Sequence, residues 1–119
     1  ELCSNNEIGF VAVNSNASLH ESVDSFESMV EHAKKNDYKF PYVVDSGSKL
    51  AKSFGAMKTP HVYLFNNNGE LAYSGAIDDN PKDAKKVKRN YLADAINAIS
   101  NGKRVKIKKT KALGCSIKF

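Results

Sequence analysis

Only two cysteines occur in the sequence, Cys3 and Cys115, one near each end. They form no CxxC pair and no Cys/His cluster at metal-ligand spacing, and they outline no disulfide framework, so no metal centre is expected. No apolar run approaches the roughly 20 residues that cross a bilayer, and no charged, apolar and small-residue series marks a signal peptide. The chain therefore reads as soluble. Gly-rich phosphate loops and nucleophile elbows are missing as well, and no cofactor is implied. The three histidines, His20, His32 and His61, are scattered and read as surface or strand-end residues. No aromatic residues interleave with the lysines as a base-stacking surface would require, which argues against nucleic acid. The sequence begins Glu1-Leu2-Cys3 without a methionine, as a processed, trimmed or partial chain would.

What is present is enough for a core. A hydrophobic content of 41% over 119 residues supports one domain, residues 1–119. The net charge of +5 is unevenly spread: five Lys/Arg fall between Lys82 and Arg89 and six more between Lys103 and Lys111. Residues 103–119 form a basic C-terminal tail, read as a solvated surface strand without a membrane partner.

The run Ile8–Val13, IGFVAV, predicts a buried strand that ends in Asn14-Ser15-Asn16. Val23, Phe26, Val30 and Ala33 fall three and four apart, with acids early and lysines late, and predict an amphipathic helix over 20–36. Phe40-Pro41 stops that helix before a second strand, Tyr42–Asp45. Ser48 is placed to cap a short helix that ends at Gly55. His61–Phe65 and Glu70–Ser74 flank Asn66-Asn67-Asn68-Gly69, the signature of an antiparallel hairpin. Leu92, Ala95, Ile96 and Ile99 give a last helix over 89–101, closed by Gly102. The pair Asp78-Asp79 could suggest two working carboxylates, but adjacent acids diverge and read better as loop caps. Helices between early strands imply parallel pairing and the hairpin adds an antiparallel edge, so the fold class is α/β with a mixed sheet flanked by helices.

The segments FVAVNSN, FPYVVDSGSKLAKSFGA, TPHVYLFNNNGELAYSGAIDD, DAINAISNGKRV and GCSIKF, in that order, cover nearly the whole chain. Together they resemble a bacterial redoxin group, the thioredoxin-like branch of the alkyl hydroperoxide reductase and thiol-specific antioxidant superfamily, which is peroxiredoxin-like. The resemblance implies a cis bond at Thr59-Pro60, beside a redox dithiol, and a substrate-binding role for Lys58, Thr59 and Pro60. It also implies that the N-terminal strand and helix carrying the dithiol are missing from these residues, and that Cys3 does not take over the nucleophile's role. Lys58 departs from the cysteine that close relatives often carry before Thr-Pro.

The implied activity is thiol-disulfide exchange or peroxide-linked antioxidant chemistry in the full-length protein, with protein thiols or disulfides, or peroxide, as partners. The chain as given is expected to be inactive as an oxidoreductase. Cys115 is the one candidate redox thiol, with Lys111 and Lys118 near it in sequence; its other reading is an incidental cysteine. The alternative function is a redox-inactive, thioredoxin-fold module that binds protein. Bacterial cytoplasm and periplasm both remain open as compartments.

Overall fold

A computed structural model describes residues 2–119. Its contacts group into two compact units: residues 2–8 with 58–115, and residues 9–57 with 116–119.

The second unit begins with β1 (Ala12–Asn14), which pairs in parallel with β2 (Tyr42–Val44), Val13 opposite Val43. The expected strand over 8–13 is shorter at its start, because Phe10 and Val11 are exposed and lie outside the ladder. Between the strands lies α2 (Phe26–Lys35), not the longer helix over 20–36. Ser25 fixes its start: the side-chain oxygen accepts the Ser28 N–H at 3.2 Å, a cap worth about 1 kcal/mol. The preceding residues are spent on turns, with the Asp24 N–H on the Leu19 carbonyl and the Asn16 amide on the Asp24 carboxylate. Val23 is 71% exposed, so it never joins the helix's apolar face. Phe40 meets Phe10 edge-on and stacks on Tyr38, with ring centres 4.6 Å apart in each pair.

After β2 the chain turns through Ser46–Ser48 into α3 (Lys49–Phe54). Gly55 closes this helix in the left-handed conformation, φ 74°, as a C-terminal glycine can without a Cβ clash. The cap at its start is a correction. The Ser48 hydroxyl donates to the Ser15 carbonyl, and Asp45 serves the helix instead, its carboxylate accepting the N–H groups of Leu50 and Ala51 at 2.9 Å each. The chain's last residues return to this unit, where the Ile117 N–H bonds the Met57 carbonyl and the Lys118 N–H bonds the Asn16 side chain.

The first unit starts with the short helix α1 (Leu2–Asn5) and resumes at β3 (Lys58–Thr59). β4 (Val62–Phe65) and β5 (Leu71–Gly75) form the hairpin, with Tyr63 opposite Ser74 and Leu64 opposite Tyr73, and a bulge between Leu64 and Phe65. Asn66 builds the turn by accepting the N–H groups of Asn68 and Glu70 on its side-chain oxygen. α4 (Tyr91–Ser100) lays Ala95 and Ile96 against Leu64, Tyr73 and Val105, while Leu2, Cys3 and Ile8 cover the same core from α1 and its following loop. Burying side chains the size of Ile96 or Tyr73 contributes about 1.5–3 kcal/mol each. Asp78 and Asp79 are loop caps, accepting the N–H groups of Asn80 and Lys88 at 2.9 Å. Both strand senses of the expected mixed sheet occur, in separate two-stranded ladders.

Candidate functional site

Three consecutive residues, Lys58, Thr59 and Pro60, lead into the hairpin. Thr59 and Pro60 are exposed, Lys58 is partly covered, and the Thr59-Pro60 peptide bond is cis. A proline here removes no ladder hydrogen bond, because β4 starts two residues later, at Val62.

The end of the basic tail comes up to this turn. Gly114, at φ 153°, sits so close to it that a Cβ would collide with the Thr59 carbonyl oxygen and lie 3.0 Å from Pro60 Cδ. Only glycine supplies both the backbone angle and the clearance. Next in the chain is Cys115, exposed and free, at the start of β6 (Cys115–Ser116). The structure thus joins four residues singled out in the sequence, Lys58, Thr59, Pro60 and Cys115, into one surface. It does not bring Cys3 there: that thiol packs against the core beside α4.

Sequence reasoning missed the residues behind the turn. His61 follows Pro60 and is half-buried, its Nε2 2.9 Å from Ser74 Oγ and its Nδ1 3.3 Å from the Tyr63 hydroxyl. The His61 and Tyr63 rings stack at 4.3 Å and 15°. Burial, reinforced by the nearby Lys109 ammonium, holds the imidazole below its ordinary pKa of 6.5. Burial also raises the Tyr63 phenol above its ordinary value. The period-2 alternation of His61 and Tyr63 was the signal available for this pairing; Ser74 follows from the hairpin register. Nothing in the local sequence marks Gly114 as the residue that touches Thr59. Among the described residues no group of three or more His, Cys, Asp or Glu is placed to hold a metal ion.

A cis-proline turn that opens a hairpin strand, with an amphipathic helix backing that hairpin, defines a thioredoxin-like α/β protein. The chain belongs to the Redoxin family, whose model matches residues 1–91, a span that includes the Thr59-Pro60 turn. Two solved structures are similar to it. One is a hypothetical protein of Sinorhizobium meliloti, 31% identical with a TM-score of 0.86, where the match covers 98% of this chain and 64% of that one. The other is an uncharacterized conserved protein of Geobacillus kaustophilus, 33% identical with a TM-score of 0.86, covering 99% and 65% respectively. The chain therefore spans a little under two thirds of each. No curated protein matches.

Proposed function

We propose that these residues form the substrate-facing part of a redoxin that carries out thiol-disulfide exchange or peroxide-linked antioxidant chemistry when full length. The observation that carries this reading is membership of the Redoxin family over a span containing the turn at Thr59 and Pro60. In such an exchange a thiolate attacks one sulfur of a disulfide, a mixed disulfide forms, and the other sulfur leaves as thiolate. The attacking dithiol is contributed by residues outside these 119. Lys58, Thr59 and Pro60 present an exposed backbone against which an extended substrate segment can lie, and protein thiols or disulfides, or a peroxide, are its substrates. In this reading the chain is peroxiredoxin-like, and its terminal GCSIKF segment places Gly114 against that turn.

The test is turnover by the full-length protein, with insulin and dithiothreitol for exchange and with hydrogen peroxide for the antioxidant branch. Turnover with either substrate is the expected result. A full-length protein inert to both would overturn the reading and favour the binding module.

A further inference from the structure

Between Lys82 and Lys111 the sequence places eleven Lys/Arg against two acids, Asp83 and Asp94. All eleven cations are exposed, and none makes an ion pair among the described residues, where the single pair is Lys39 with Asp37. Six of the eleven lie on segment 103–111, which bends at Lys106 and then meets β5 in a parallel bridge between Lys109 and Ser74. The Ser74 N–H donates to the Lys108 carbonyl and the Thr110 N–H donates to the Ser74 carbonyl, 3.0 Å each. Strand geometry then points the N–H and C=O of Ile107 and Lys109 the opposite way. Neither residue's backbone has a hydrogen-bond partner among the described residues. The outer side of the segment is an open ladder edge bordered by lysines.

An edge of this kind pairs with another extended chain unless charge discourages it. Here the charge selects the partner, because an acidic strand is attracted where a neutral or basic one is repelled. The segment also reaches the candidate site. Lys109 is close enough to act on His61, which follows Pro60, and four residues beyond Thr110 the chain is at Gly114, against Thr59.

We propose that residues 106–109 are a docking strand for an acidic, extended segment of a partner protein, which adds to the open edge by backbone hydrogen bonds while its carboxylates meet Lys106, Lys108 and Lys109. Insofar as docking delivers the partner to the turn at Thr59 and Pro60, the proposal rests on the redox reading above. Binding itself does not, so it can be tested without turnover.

The probe is a fluorescein-labelled peptide of about ten residues, a usual strand length, alternating Glu and Val, titrated by anisotropy into the 119-residue chain. Saturable binding that weakens as salt shortens the screening length is expected. The triple variant K106Q/K108Q/K109Q should lose about tenfold or more in affinity, the scale of one to two kcal/mol. The variant K82Q/K85Q/K86Q should lose less than about twofold. A peptide of the same sequence methylated at every backbone nitrogen cannot donate to the ladder and should bind at least about threefold more weakly.

Equal loss in the two triple variants would overturn the docking strand in favour of a diffuse cationic surface. Undiminished binding of the N-methylated peptide would overturn the strand addition. Tighter binding of a thymidine oligonucleotide, or of phosphatidylserine vesicles, would replace the acidic protein by nucleic acid or membrane. If docking holds while the full-length protein shows no turnover, it is the redox reading that fails.

Discussion

Gly114 lies against the Thr59 carbonyl with no room for a methyl group between them. Replacing it with alanine forces the backbone of the turn or of the tail to move, since neither contact is the flexible end of a side chain. Gly114→Ala should cost about 1–3 kcal/mol from its backbone conformation alone, and more from the displaced turn. Urea unfolding would measure it, and an unchanged midpoint would show that Gly114 does not hold the turn.

The two thiols should separate under a chemical label. Cys115 is exposed, whereas Cys3 packs against the core beside α4. Ellman's reagent should modify the first thiol rapidly and the second, partly covered one more slowly, with Cys115→Ser removing the fast phase. Insulin reduction by this chain should stay at background in the wild type and in both serine variants.

Asp45 is buried, at 7% exposure, and burial on its own would raise its pKa. The Leu50 and Ala51 N–H groups and the Ser15 hydroxyl outweigh burial, and the carboxyl is held below its ordinary 3.8. A carboxylate with a depressed folded pKa contributes stability that is complete above 3.8 and is lost as the pH falls through the folded value. Asp45→Asn should therefore flatten the acid limb of the stability curve below about pH 4. It should also lower stability at neutral pH by about 0.5–2 kcal/mol, the range of a lost helix cap.

His61 has the same linkage sign for a different reason, its charged form being disfavoured by burial rather than its neutral form by hydrogen bonds. Its proton is disfavoured in the folded state, so the unfolded chain binds more protons between the lowered value and 6.5, and stability falls as the pH drops through that interval. Lys109→Gln removes one of the two causes and should move the imidazole titration upward in an NMR experiment. The remaining depression belongs to burial, with Ser74 and the Tyr63 hydroxyl as its neighbours. A titration that stays in place would show that Lys109 does not act on this ring.

Edges decide the state of association. Among the described residues β1 is paired only with β2 and β4 only with β5, and Val11 is 55% exposed beside β1. Open strand edges with apolar neighbours pair with other chains. Sedimentation of the 119-residue chain should show concentration-dependent self-association; a monomer with one sharp melting transition would favour the binding module.

The sequence disclosed most where one residue type has few alternatives. Asn-Gly between apolar runs located the hairpin, Gly55 and Gly102 ended their helices, and the spacing of Leu92, Ala95, Ile96 and Ile99 marked α4 within two residues. It misled where two residues competed for one role. Val23 fits a helical period, yet Ser25 captures the helix start; Ser48 has a capping side chain, yet the longer reach of Asp45 takes both N–H groups. The turn at Thr59-Pro60 was legible from a proline set just before an apolar run, whereas Gly114 touches Thr59 across 55 residues of chain, and no local pattern encodes such a distant contact.

Tyr73 is fully buried, and its hydroxyl bonds to the Ala76 carbonyl and, at 2.6 Å, to Thr110 Oγ1. The sequence contains no tryptophan, so the near-ultraviolet signal belongs to its five phenols. Burial raises the pKa of the Tyr73 phenol, while Tyr38 and Tyr42 lie in the other unit. Ionisation of Tyr73 then awaits the parting of the segment that carries Thr110 from the hairpin, so part of the alkaline rise in absorbance reports that opening. The protein carries its own optical gauge for the opening of one unit, with no dye attached.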